Sequence, residues 1–231
     1  MRQEKFMFAL RLAALVAATL ATGLIAGVFY AYATSVMPAL NRTDDRAMID
    51  VMQKINVVII NPWFMIGFMG TVGFTVLAAA LHLGKEHRTT LIWLGIALAL
   101  NVIAFAVTSG SNVPLNDQLA AAGDPAQIAD LAKVRADFES AWVRWNIIRA
   151  ILHTLAFLVL SGALFVAGIQ HGRAQASGSA ANQQVSQAQP VPAGVQTAGQ
   201  PYRAPIMAQQ YAFRSAAGQY AAHPAGAQHL G

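Results

Sequence analysis

Two stretches of this chain hold residue types that could do chemistry inside an otherwise apolar protein. They are Asn112-Val113-Pro114-Leu115-Asn116 and Trp142-Val143-Arg144-Trp145-Asn146-Ile147-Ile148-Arg149, with His153 one turn further on. At about 100° per residue, Trp142, Asn146, Arg149 and His153 fall within about 40° of one line on a helix. Asn101, Thr108 and Asn112 form a second polar stripe on the preceding apolar segment. Two polar stripes at one end of a bundle imply a shared pocket there. Arg149 brings a fixed positive charge and His153 the side chain that changes charge nearest neutral pH. An ionisable group within a membrane span is costly and usually faces the bundle interior or a cavity. The simpler alternatives are an Arg149 that snorkels to the headgroups above a Trp142 and Trp145 belt, and a His153 that is a satisfied interior histidine. A snorkelling arginine needs no polar stripe beneath it, so the alignment with Asn146 and His153 favours the pocket.

Other chemistries are excluded or unsupported. The absence of cysteine rules out disulfides, thiolate metal sites, Cys nucleophiles and Cys-ligated clusters. No G-x-S-x-G, P-loop or dinucleotide fingerprint occurs. His82 ends the second apolar span and His153 begins the fourth, so they lie near opposite membrane faces, about 25–30 Å apart, and cannot share a haem or a metal. His82, Glu86, His87 and His171 gather on one side with a spacing that matches no metal site, and read as a solvated loop. No metal and no cofactor is expected.

The elements that must position these residues follow from composition. Of 231 residues, 56% are hydrophobic and 11% are charged, under half the usual charged share of a soluble domain. The mean hydropathy is +0.46. Too little charge is available to cover a soluble protein of this size, so an integral membrane protein in contact with the lipid bilayer is expected. The net charge of +5 is no nucleic-acid footprint. Residues 1–172 carry 12 basic and 10 acidic side chains, and the remaining excess is Arg173, Arg203 and Arg214. No basic stripe interleaved with aromatics is present to follow a phosphate backbone.

Four segments carry almost no charge, and spans are expected at about 12–36, 62–83, 91–109 and 150–170. The first is too long for the hydrophobic region of a signal peptide, so an uncleaved helix is preferred. Gly23 and Gly27 make a G-x-x-x-G face with Thr19, Tyr30 and Thr34, and Gly67, Gly70 and Gly73 make another; both read as close-packing faces. Residues 43–60 open on the cap cluster Thr43-Asp44-Asp45 and repeat Met48, Val51, Met52, Ile55, Val58 and Ile59 at helical spacing. That is an amphipathic helix at the interface. Asp124-Pro125-Ala126-Gln127 has the form of a capping box, opening a helix that runs without a further proline into span four.

The expected fold class is therefore all-α: a four-helix transmembrane bundle, with interfacial amphipathic helices, over residues 1–172. Residues 173–231 are rich in Ala, Gln, Gly, Ser and Pro with no acid, and read as a disordered low-complexity tail acting as a solvated tether. Four spans place both termini on one side. The basic residues near the spans divide six to seven between the two sides, so the positive-inside rule decides nothing. The cleanly basic N-terminus and short loop favour cytoplasmic termini of a multi-pass protein of the cell membrane. The oligomeric state stays open.

Asn112-Val113-Pro114-Leu115-Asn116 and Trp145-Asn146-Ile147-Ile148-Arg149, with Pro38 and Asn61-Pro62-Trp63-Phe64, resemble the anthrone-oxygenase-like membrane proteins. The resemblance covers about residues 8–170. It implies a four-span domain and oxygenation of a lipophilic phenolic or polyketide-like aromatic without metal or flavin. In that chemistry a base removes a C–H proton made acidic by the anthrone carbonyl, and cationic or hydrogen-bonding groups hold the enolate oxygen. On that basis Arg149 holds the oxyanion, Asn112, Asn116 and Asn146 offer hydrogen bonds, and Trp142 and Trp145 stack on the ring. His153 as the base is inferred from side-chain chemistry. The alternative is a non-catalytic accessory or scaffolding protein using the same stripe to bind a partner helix or a headgroup. A transporter is disfavoured by the lack of repeats and of paired broken helices.

Overall fold

The computed structural model describes residues 2–188, with side chains described through 184. Residues 1–180 belong to one compact unit. Among the described residues every regular element is helical. Four helical stretches are long and apolar enough to cross a membrane: Arg2–Leu40, Pro62–Leu81, Lys85–Ala121 and Leu131–Gln184. The all-α, four-span expectation holds. Leu20, Leu24, Ile66, Ile92, Ile103, Leu158 and Phe165 point outward, as side chains facing hydrocarbon must when lipid is the solvent.

The first stretch is α1 (Arg2–Ala31), a π-helical turn (Tyr32–Val36) and α2 (Met37–Leu40). The third repeats this plan with α5 (Arg88–Val107), a π turn (Thr108–Asn112) and α6 (Val113–Ala121). In both, a proline lies six residues after the π turn begins: Pro38 after Tyr32 and Pro114 after Thr108. A proline ring cannot donate to the carbonyl four residues back and collides with it. For Pro38 and Pro114 those carbonyls belong to Thr34 and Gly110, inside the two π turns. The backbone widens by one residue and re-aims the side chains there, a distortion often found at functional sites.

Between the spans, α3 (Asp45–Val58) is the expected amphipathic helix, with Asp44 accepting from the Ala47 amide at 2.9 Å. Its buried face is Met48, Ile49 and Met52, packed with Met37, Leu40, Leu119, Phe138 and Trp142. Val51 and Val58, expected on that face, are 37% and 72% exposed. α4 (Pro62–Leu81) starts at the Asn61 cap, whose side chain accepts from the Phe64 amide at 3.1 Å.

The helix of span four, α7 (Leu131–Ala188), starts later than expected. Asp124 does not open it. Its carboxylate accepts from the Ala126 amide and its carbonyl from the Gln127 amide, which closes a local turn. The cap is Asp130, accepting from the Lys133 amide at 2.9 Å. Gly123, with φ of +81°, ends the preceding helix in the left-handed conformation and separates the two. Nor does the helix stop at 172: it continues to Ala188, because Ala, Gln and Arg are good helix formers added to an existing helix. The rest of the expected tail, 189–231, lies outside the described residues.

Small residues allow the spans to approach closely. Ala14, Ala18, Ala78, Ala97 and Ala163 pack with Leu15, Leu94 and Leu160 at one end of the bundle. The Trp93 ring lies against Gly162, and Phe157 against Gly23. Asn101, fully buried, ties four helices together. Its Nδ2 donates to Thr71 O at 3.0 Å and reaches Thr22 Oγ1 at 3.3 Å and Thr75 Oγ1 at 3.5 Å, while its Oδ1 meets His153 Nδ1 at 3.1 Å.

At the other end, Arg135 on α7 clamps the start of α3. It donates to Glu139 Oε2 at 2.6 Å, Asp45 Oδ1 at 3.0 Å, Thr43 O at 2.9 Å and Asn41 O at 3.0 Å. Charge-assisted bonds on a side chain only 13% exposed are stronger than a surface pair. Arg135→Ala is expected to speed amide exchange across 41–58 about tenfold, or ~1.4 kcal/mol of local opening. Hydrogen exchange by mass spectrometry checks this.

Candidate functional site

A cavity of about 250 Å³ opens at the end of the bundle where the two π turns lie. α1 and its π turn supply Phe29 and Tyr32, α3 supplies Ile55 and Asn56, and α4 supplies Phe64 and Phe68. Thr108 of the second π turn, Asn116 of α6, and Trp142, Asn146 and Arg149 of α7 complete its polar side. Phe64 and Phe68 make one wall aromatic, with near-parallel rings 5.7 Å apart, and Phe105, outside the lining, stacks on Phe68 at 5.2 Å.

Arg149 is 5% exposed. Its guanidinium carbon lies 4.1 Å from the Phe29 ring centroid and 5.5 Å from that of Trp142. Aromatic faces attract a cation but do not replace the hydrogen bonds it had in water. It makes one hydrogen bond, from Nη2 to Asn146 Oδ1 at 3.0 Å, and its Nε is buried without a partner. No Asp or Glu forms an ion pair with it among the described residues. Asn146 is held in turn, since its Nδ2 donates to Phe29 O at 3.0 Å, which turns Oδ1 towards Arg149. The result is a desolvated cation with donor capacity to spare, fixed in place and lining a cavity.

Trp142 is positioned from two sides. Asn116 Oδ1 accepts from its indole Nε1 at 2.8 Å, and Asn112 Nδ2 donates to its backbone carbonyl at 3.2 Å. Its ring lies 5.8 Å from that of Tyr32. Of the residues singled out from sequence, Asn116, Trp142, Asn146 and Arg149 meet at the cavity. Asn112, Trp145 and His153 do not line it. Asn112 is buried behind Trp142. Trp145 is half-buried, with Arg144 5.9 Å from its ring, a residue away from the polar stripe.

His153 is fully buried one turn deeper, 5.5 Å from the Phe29 ring. The Asn101 amide fixes its tautomer: Asn101 Nδ2 is committed to Thr71 O, so Oδ1 is an acceptor and His153 Nδ1 carries the proton. Nε2 is then a bare lone pair, and it is buried without a partner. At the opposite end, His82 meets His87 edge-on at 5.4 Å and His171 stacks on Phe8 at 3.5 Å. Sequence reasoning missed Phe29, Tyr32, Asn56, Phe64 and Phe68. For Tyr32 a signal existed in Pro38 six residues on, the same offset that links Thr108 to Pro114.

Residues 62–159 match the anthrone oxygenase family. Over those residues the chain is anthrone-oxygenase-like. The matched segment contains Asn116, Trp142, Asn146, Arg149 and His153, and with them the polar side of the cavity. No curated protein and no solved structure matches the chain.

Proposed function

We propose that this membrane protein is an oxygenase that binds a flat, lipophilic phenolic aromatic of the anthrone type in the cavity and oxidises it with molecular oxygen, without metal or flavin. The observation that carries this reading is Arg149: a buried guanidinium with an unpartnered Nε, on the wall of an aromatic cavity. Such a group calls for an anionic or strongly accepting oxygen. An anthrone supplies one when its C–H bond opposite the carbonyl ionises, because the charge moves to the carbonyl oxygen. Arg149 holds that oxygen, and Trp142 and the Phe64–Phe68 wall hold the ring. His153, whose Nε2 is buried without a partner one turn below the cavity, is the base of this reading, and the Phe29 ring, which contacts both His153 and Arg149, must swing aside for Nε2 to reach the C–H and take its proton. The carbanion then bonds to O2, giving a hydroperoxide after protonation. Loss of water from the hydroperoxide leaves the quinone carbonyl. One O2 is consumed, one oxygen atom enters the product and the other leaves as water.

Oxygen uptake by the purified full chain in detergent, with anthrone as substrate, tests the reading. The wild type is expected to consume oxygen above the uncatalysed rate. His153→Ala is expected to lower kcat at least about 100-fold, the usual scale of a lost base, with KM within about threefold because His153 does not line the cavity. No uptake by the wild type with several anthrones would favour a non-catalytic accessory protein. Unchanged kcat in His153→Ala would remove the base assignment alone.

A further inference from the structure

Much of the cavity wall comes from outside the matched segment 62–159. α1 and its π turn contribute Val28, Phe29 and Tyr32, α3 contributes Ile55 and Asn56, and Ile59 follows at its C-cap. Within α3, Asn56 breaks the pattern. Met48, Ile49, Met52, Ile55 and Ile59 make the inward stripe, and Asn56 occupies the place in it seven residues after Ile49 and four after Met52. Helical periodicity assigns that place an apolar side chain. The Asn56 Nδ2 is buried without a partner, and leaving an amide donor unmade in a low-dielectric site is costly. Arg149 Nε, on the same cavity, is likewise an unpartnered donor. Of the other polar side chains there, all but Tyr32 are already engaged, while the Tyr32 hydroxyl makes no hydrogen bond among the described residues. Asn146 bonds Phe29 and Arg149, Asn116 Oδ1 bonds Trp142, and the Thr108 hydroxyl bonds Ala104 O. The atoms of cavity-lining side chains that are fully buried without a partner are therefore both donors, on two different helices.

We infer that Asn56 is a specificity-determining residue: its amide donates to a second acceptor oxygen of the ligand, distinct from the oxygen held by Arg149. This rests on the reading of the cavity as an aromatic-ligand site. A ligand with oxygens at two places on its ring system satisfies both donors, and one with a single carbonyl leaves Asn56 bare. A site built to hydrogen-bond an oxygen discriminates strongly against the analogue that lacks it. α3 would then select the substrate while the matched segment supplies Arg149.

The test compares two probes, anthrone and 1,8-dihydroxyanthrone, bound under argon to the full chain in detergent and followed by quenching of tryptophan fluorescence. Asn56→Leu is expected to weaken the dihydroxy probe about tenfold and to leave anthrone within twofold. Asn56→Ala, which adds no bulk, is expected to show the same difference, with an unchanged melting temperature in both variants. Equal losses for the two probes, or no loss for either, would overturn the inference while the cavity reading stands. Failure of the wild type to bind either probe would overturn the cavity reading and this inference with it.

Discussion

Arg149→Met is expected to give a protein that unfolds less readily than the wild type and binds the aromatic ligand proposed for the cavity far more weakly. The two effects have one cause. Arg149 is 5% exposed, lies between the Phe29 and Trp142 rings, and has one hydrogen bond and no carboxylate partner. A cation in that state has lost its hydration and recovered only part of it. Methionine keeps most of the volume and removes the charge. Replacing buried charge by a well-packed apolar side chain stabilises some proteins by ~1–4 kcal/mol. Here the gain is at the lower end, ~1–2 kcal/mol, because Asn146 Oδ1 loses its donor. Binding of 1,8-dihydroxyanthrone is expected to weaken at least about 100-fold, since a lost charge-assisted bond costs ~3 kcal/mol or more in a desolvated site. Unfolding in mixed detergent and fluorescence titration measure the two sides. A melting temperature that falls together with unchanged binding would show that Arg149 is a structural strut.

Asn101→Ala is expected to have the largest effect on stability, a loss of ~2–3 kcal/mol. The single amide joins α5 to Thr22 on α1, to Thr71 and Thr75 on α4 and to His153 on α7. Hydrogen bonds between spans average ~0.6 kcal/mol and reach ~1.7. The Thr71 contact at 3.0 Å and the His153 contact at 3.1 Å carry most of the sum. To these the substitution adds a cavity and an unpartnered His153 Nδ1 donor. Asn101→Leu restores the volume without the bonds and is expected to recover less than half the loss. Full recovery in Asn101→Leu would mean that packing, and not the polar node, holds the four helices. Kinetics in both variants should show a lower kcat, because His153 loses the partner that fixes its tautomer.

Periodicity within one helix was enough to place Trp142, Asn146, Arg149 and His153 on a buried line, and all four are buried. The four spans were equally legible, because charge-free segments of bilayer length are uncommon for any other reason. What lies across from a stripe is a different matter. Phe29, Tyr32 and Asn56 sit on helices whose contacts with α7 depend on packing between distant segments, and no local pattern records that. The π turns added a second obstacle, since each shifts the register of the residues around it. Asn112 and Asn116 were legible as polar and inward, but not as the two supports of Trp142. Asp124 shows the limit of a motif: Asp-Pro-Ala-Gln fits a helix start and a local turn equally well, and Gly123 and Asp130 on either side decide between them.

The central claim is that Arg149 holds an oxyanion of the bound aromatic, and the ligand itself can report it. Bound to the wild-type full chain under argon, 1,8-dihydroxyanthrone is expected to ionise about one unit or more below its value in the same detergent without protein, as an acid beside a fixed cation does. The absorption band of the anion, followed against pH, gives that number directly. In Arg149→Met, at ligand concentrations that still populate the complex, the shift is expected to vanish. A bound ligand that ionises no more readily than the free one, with Arg149 in place, would contradict the account.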